Sequence, residues 1–258
     1  MAGKRTIRVA AIGDLHVRET DRGKWKDYFA AINKQADILV IAGDITDTGD
    51  EDEAALFVEE LKGTNIPLVG VLGNHDHEKG RQKAIKEILQ EANMQVLDGE
   101  SAMIEGVGFA GIKGFGGGFG PRMLSRFGEE MMKAFVQEAV DESLKLERAL
   151  SRLGQHRGEI GKIAIMHYAP ITDTVEGEPL EIYPFLGSSR LLEPLQRTEV
   201  LAVFHGHAHM GQYEGTTPGG TPVWNVSLPV LARQGKEYPL HLMEVEVPDD
   251  TTERTPIK

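Results

Sequence analysis

Ile7–His16 reads IRVAAIGDLH, Ile38–Asp47 reads ILVIAGDITD and Leu68–Asp76 reads LVGVLGNHD. Each begins as an aliphatic, β-branched-rich run and stops at a glycine followed by polar residues. Runs of this length without polar alternation are what a strand covered on both faces requires, so Ile7–Ile12, Ile38–Ala42 and Leu68–Leu72 read as buried parallel strands. Between them, Lys24–Lys34 and Glu51–Leu61 carry apolar residues at three- and four-residue spacing, the pattern of an amphipathic helix. The order βαβαβ predicts a sheet flanked by helices.

Outward from this core, a helix is expected over Lys79–Glu91 and short strands near Gln95–Leu97, Ala102–Ile104 and Val107–Gly111. The pattern breaks at Ile112–Gly120, IKGFGGGFG. Arg126–Leu153 is helical in period, with Met131, Phe135, Leu144, Leu146, Leu150 and Leu153 as expected buried positions. Residues 112–160 therefore read as a helical insertion over the sheet. Strands return at Lys162–Met166, Val200–Phe204, Pro222–Val226 and Leu240–Val247, with a helix near Ser189–Leu195, so the second half mirrors the first. The expected fold class is α/β: a four-layer α/β/β/α sandwich of two mixed sheets, one domain over 1–247, with a loose tail at 248–258. No fixed-period repeat is evident.

Composition narrows the function. With 258 residues, 40% hydrophobic and 26% charged, the chain is long enough for a sizeable core. The absence of cysteine removes disulfides, thiolate metal sites and cysteine nucleophiles together, so any metal must bind through nitrogen and oxygen. No window approaches a membrane-spanning length, and MAGKRTIRVAAIGD lacks a signal-peptide core, so a cytoplasmic location and no membrane partner are expected. A formal charge of −12 opposes binding to long nucleic acid, because such binding rests on Lys and Arg neutralising phosphates.

The polar residues after the strands carry the chemistry. Ligands of α/β sheets sit at the carboxyl ends of strands, and parallel neighbours bring Gly13-Asp14-Leu15-His16, Gly43-Asp44-Ile45-Thr46-Asp47 and Gly73-Asn74-His75-Asp76 together. His167 and Gly206-His207-Ala208-His209 follow later apolar runs. Oxygen and imidazole donors without sulfur suit Mn, Fe, Zn or Co, whereas Mg prefers all-oxygen sites. An Asp-x-His or His-x-His pair on an extended segment points both side chains to one side. A Gly-Asp pair after a strand is more often only a turn; the joint occurrence of these motifs reverses that reading.

The set GD-x-H, GD-x-x-D, GNH-D, a later lone His and GH-x-H, in this order over roughly residues 7–226, resembles the calcineurin-like metallophosphoesterase family. The resemblance implies two divalent metal ions, one on Asp14, His16 and His209, the other on Asn74, His167 and His207, with Asp44 bridging them. It implies hydrolysis of a small phosphoester, nucleotide-type molecules included, by a hydroxide held between the metals. His75 matches the residue that protonates the leaving group, and Asp76 is placed to orient it. Asp47 is expected to steady a ligand by a hydrogen bond rather than to bind metal, and His205 either contacts the site or simply sits in its strand.

A phosphodiester is the preferred substrate because His75 can protonate a poor alkoxide. A phosphomonoesterase and a non-catalytic metal-binding scaffold are the alternatives. The Gly114–Gly120 segment lacks the Lys-Ser or Lys-Thr of a phosphate-binding loop and reads as a flexible lid carrying Phe115 and Phe119, or as a mobile surface loop. Arg122 and Arg126 read as solvated arginines or phosphate contacts. Met131-Met132 reads as core or as a contact in a homo-oligomer. His77, His156 and His241 have no evident partner.

Overall fold

A computed structural model describes residues 3–155 and 160–249. The chain runs β1 (Lys4–Ile12), α1 (Lys26–Gln35), β2 (Ile38–Ala42), α2 (Glu51–Glu60), β3 (Leu68–Val71), α3 (Gln82–Glu91) and β4 (Met94–Val96). It continues through β5 (Glu100–Ile104), β6 (Val107–Gly111), α4 (Glu130–Leu153), β7 (Lys162–Ile165), α5 (Tyr183–Leu186), α6 (Leu192–Arg197) and β8 (Ala202–His205). It closes with β9 (Glu214–Thr216), β10 (Pro222–Asn225), α7 (Leu228–Ala232) and β11 (His241–Pro248).

Two sheets result, in the orders β11-β1-β2-β3-β4 and β5-β6-β7-β8-β10-β9. Each has parallel strands at its centre and antiparallel strands at its edges: β11 pairs with β1, β5 with β6, and β9 with β10 in that sense. Period-two alternation explains why the sheets stack. Val107, Phe109, Ile163, Ile165 and Phe204 of the second sheet join the core formed with Val9, Ile38, Ile41 and Val69 of the first. The intervening Ala110, Ala164 and Val203 face the other way, onto Leu146, Leu150 and Leu153 of α4. The architecture is the four-layer α/β/β/α sandwich.

Local signals set the element ends. Asp50 caps α2, its carboxylate accepting the Asp52 N–H at 3.1 Å, while Glu53 closes the reciprocal capping box. α4 starts four residues later than its periodicity suggested, past Gly128. Its buried stripe runs through Val136, Ala139, Ser143, Leu146, Leu150 and Leu153. Leu144 is one position off that stripe and 43% exposed, and Met131, before the helix reaches the sheet, is 80% exposed, as is Met132 at 38%. The expectation that these residues are core is thereby corrected.

The tail expected from 248 begins later among the described residues. Pro248 still pairs with Lys4, and Asp249 N–H donates to Gly3 O at 2.7 Å. Residues 250–258, and His156 in the second sheet's connection, lie outside the described residues. Among the described residues no helix is long and apolar enough to cross a membrane.

Candidate metal centre

The loops leaving β1 and β2 continue the strand pairing beyond the sheet, through Asp14 N–H to Gly43 O (3.0 Å), His16 N–H to Asp44 O (3.1 Å) and Val17 N–H to Ile45 O (2.9 Å). The second sheet is tied in by His207 N–H, which donates to Asp14 Oδ1 at 2.9 Å, and by Gly206 N–H, which donates to His167 O at 3.1 Å. The carboxyl ends of both sheets thus meet at one place.

There the side chains form overlapping groups: Asp14, His16 and His209; His16, Asp44 and His75; and Asp44, His167 and His207. In each, one donor atom per residue lies within 4.8 Å of the others. His209 Nε2 is 2.8 Å from Asp14 Oδ1 and 3.5 Å from His16 Nε2. Asn74 joins the last group, its Oδ1 2.9 Å from His167 Nε2. Asp44 Oδ2 stands between the groups, 3.2 Å from His167 Nε2 and 3.8 Å from His16 Nε2.

The backbone that aims these groups is not the extended one expected from Asp-x-His spacing. Asp14 (φ 57°), His16 (φ 46°), Asp44 (φ 48°) and His207 (φ 70°) are all left-handed. Such a conformation costs of order 1 kcal/mol or more for a residue with a side chain, and clusters where function demands it. His207 and His209 accordingly turn to different groups rather than to one side.

The imidazoles are oriented by bonds from their far nitrogens. His167 Nδ1–H donates to Ala42 O at 2.9 Å and His207 Nε2–H to Phe185 O at 3.1 Å, leaving His167 Nε2 and His207 Nδ1 as lone-pair donors. His16 Nδ1 is buried without a hydrogen-bond partner, and Asp47 Oδ1 lies 3.6 Å from it. Asp47 also accepts from Arg18 Nε at 2.9 Å, and its backbone oxygen takes the Nδ1–H of His75 at 2.6 Å.

Buried opposite charges dominate the electrostatics. Burial acts to raise the Asp44 carboxyl, but His167, His16 and His75 hold it well below the usual range. Burial acts to lower His167, and Asp44 and Asp14 override it, lifting the imidazole to about 9. Burial lowers His207 to about 4. Buried lone pairs and carboxylates converging this closely suit a cation, and the N/O donor set fits divalent transition ions.

Three expectations are corrected. Asp76 does not touch the His75 ring: it is fully buried and its carboxylate accepts from the backbone N–H groups of Ile45, Thr46 and Gly73 and from Thr46 Oγ1, at 2.7–3.3 Å. It braces the two loops against each other, and the His75 ring is held by Asp47 instead. His205, the last residue of β8, points away from the groups: its Nδ1–H donates to Gly206 O and its Nε2 accepts from Thr174 Oγ1. The Gly114–Gly120 segment is not a lid. Gly117 and Gly118 donate to Pro184 O and Gly187 O, and Phe115 packs between Phe135 and Tyr168, with ring centroids 4.9 and 5.8 Å away. Its glycines serve close backbone approach, since a Cβ on Gly116 would meet Pro184 O.

Arg122 and Arg126 are exposed. The sequence reading missed Tyr168, whose ring packs 4.4 Å from His207 and 5.5 Å from His167, and the carbonyls of Ala42 and Phe185. Adjacency to His167 was the available signal for Tyr168; a backbone carbonyl leaves none.

The chain belongs to the calcineurin-like phosphoesterase family, whose model matches residues 7–211. Among its relatives is a probable glycerophosphodiester phosphodiesterase of Arcobacter nitrofigilis, 25% identical over 182 residues, covering 69% of this chain and 58% of the relative. A probable cyclic nucleotide phosphodiesterase of Fibrobacter succinogenes is 28% identical over 83 residues, covering 29% of this chain and 32% of that one. This chain therefore spans less than two thirds of the length of these relatives. Of solved structures, the phosphopantetheinyl hydrolase of Mycobacterium tuberculosis superposes with a TM-score of 0.65 at 16% identity, covering 91% of this chain and 95% of that one, a likeness of fold.

Proposed function

We propose that this protein hydrolyses a small phosphodiester with two divalent ions, Mn, Fe, Zn or Co. The observation that carries the reading is Asp44 Oδ2, which faces one imidazole nitrogen of each donor group. Asp14, His16 and His209 would hold one ion, Asn74, His167 and His207 the other, and Asp44 would bridge. When bound, the ions supply Lewis-acid activation of water and neutralise charge on the phosphoryl oxygens.

The chain's own residues do the rest. Ala42 O and Phe185 O fix the tautomers of His167 and His207, so the ligand nitrogens carry lone pairs rather than protons. Asp76 holds the loops after β2 and β3 in register, which sets Asp44 against Asn74. His75 spends Nδ1–H on Asp47 O, leaving Nε2 as its proton-transfer atom at the edge of the site, its side chain 37% exposed. A proton donor there matters most for an alkoxide leaving group, which favours a diester over an activated monoester. The names of the relatives point the same way. A cysteine-free chain suits a reducing, cytoplasmic setting.

Hydrolysis of bis-p-nitrophenyl phosphate and p-nitrophenyl phosphate by metal-resupplied protein tests the proposal. Metal-dependent turnover favouring the diester supports it, and turnover that survives exhaustive chelation overturns it.

A further inference from the structure

A second cavity, of about 420 Å³, opens beside the Asn74–His167 flank of the donor groups. It lies at the carboxyl ends of β3, β4 and β6, the same edge of the sheets that carries the metal centre. Three of its lining residues are joined directly to that centre. Leu72 precedes Gly73-Asn74; His77 N–H donates to Asn74 O at 3.1 Å; and the Lys113 carbonyl accepts from His167 N–H at 2.9 Å.

The chemistry of the walls is specific. Leu72, Val96 and Leu97 form an apolar floor. Over it stand polar groups without protein partners. Gln82 Oε1 is buried and accepts nothing, and no hydrogen bond or ion pair reaches the His77 ring among the described residues. Lys113 Nζ bonds only Gly114 O at 2.8 Å, with Glu138 3.8 Å away. A buried carbonyl oxygen with no donor costs about 1–3 kcal/mol, which a ligand hydroxyl would relieve.

Charge is balanced. Lys145 meets Asp98 and Glu142 at 2.8 and 2.7 Å, Lys86 lies 3.6 Å from Glu100, and Lys83 lies 4.0 Å from Glu87. With Lys113 facing Glu138, no unpaired charge is left to demand an ionic ligand. The lining also contains no Phe, Tyr or Trp, so the stacking platform that a heteroaromatic base would use is missing.

We propose that this cavity receives an uncharged, hydroxyl-bearing alcohol arm of the substrate, a hydroxyl donating to Gln82 Oε1 and others meeting His77 and Lys113. This rests on the phosphoesterase reading for its phosphate, while the selection of the arm rests on the cavity alone.

The test is calorimetric binding of glyceryl phosphate and methyl phosphate to the manganese-loaded protein, with Gln82→Leu and His77→Leu beside the wild type. The two probes share the phosphate and differ in the hydroxyls. The wild type is expected to prefer the glyceryl probe by about tenfold or more, the worth of one to two hydrogen bonds, and each variant to bring that ratio towards one. Equal affinities in the wild type, a ratio untouched by both variants, or binding of neither probe overturns the proposal. Turnover of the matching p-nitrophenyl diesters is read separately: selective binding without turnover at any metal condemns the phosphodiesterase reading and leaves the cavity's selectivity standing.

Discussion

A methyl group on Gly73 would run into both Oδ1 and the backbone nitrogen of Asp44. The last glycine before Asn74 and the aspartate after β2 can be neighbours only because one of them has no side chain. Gly206 has the same relation to Asp14 Oδ2. Each left-handed aspartate is thus packed against a glycine from another strand, which is why these motifs begin with Gly.

Gly73→Ala and Gly206→Ala are therefore expected to lose most bound metal while keeping the fold, because the displaced atoms are carboxylates rather than core. Metal analysis and circular dichroism on the purified variants check this. Full metal occupancy in both would remove the glycines from the account.

Asp44→Ala should cut turnover by at least about 100-fold, more than is typical for a residue that merely supports a ligand. Metal content should fall with it, since His16 and His167 lose the carboxylate oxygen between them. Unchanged metal content would refute the bridging assignment.

His75→Ala should retain metal and lose about 10²–10⁴-fold in kcat for alkyl leaving groups, and much less for p-nitrophenolate, which departs without a proton. Steady-state kinetics over a leaving-group series would show this as a steeper dependence on leaving-group basicity; parallel losses across the series would contradict the role.

The parts of this molecule that could be read from sequence are those where one residue type has one job. The runs before Asp14, Asp44 and Asn74 are aliphatic because both faces of their strands are covered, and that is visible without a structure. Asp76 shows the limit: its partners are backbone N–H groups from two loops, which no side-chain pattern encodes. Leu144 and Met131 misled because a helix longer than the sheet beneath it has apolar positions with nothing to cover them. The glycine run at 114–118 looked mobile for its composition, yet its glycines are set by Pro184 and Gly187, far away in the chain. β9 and α7 are too short to carry a period at all.

His241 yields a prediction about stability. It lies between Phe204 and Trp224, takes the Tyr213 hydroxyl on Nδ1 at 2.6 Å and leaves Nε2 buried without a partner. Burial lowers its pKa to about 4. The unfolded chain, with an ordinary imidazole near 6.5, binds the proton more readily, so stability is lost as pH falls from about 6.5 to about 4. The contribution is up to ~3 kcal/mol. Urea unfolding at pH 7 and pH 5 should show a smaller acid loss for His241→Gln than for the wild type; equal losses would show that other groups carry the acid sensitivity.

The central claim, two ions acting on a phosphodiester, is tested most directly by stripping the protein with chelator and titrating Mn, Fe(II), Zn or Co back while following bis-p-nitrophenyl phosphate hydrolysis and bound metal together. Activity that emerges as the second equivalent binds, and exceeds that on p-nitrophenyl phosphate, is the expected result. Full activity at one equivalent, or none at two, would contradict it.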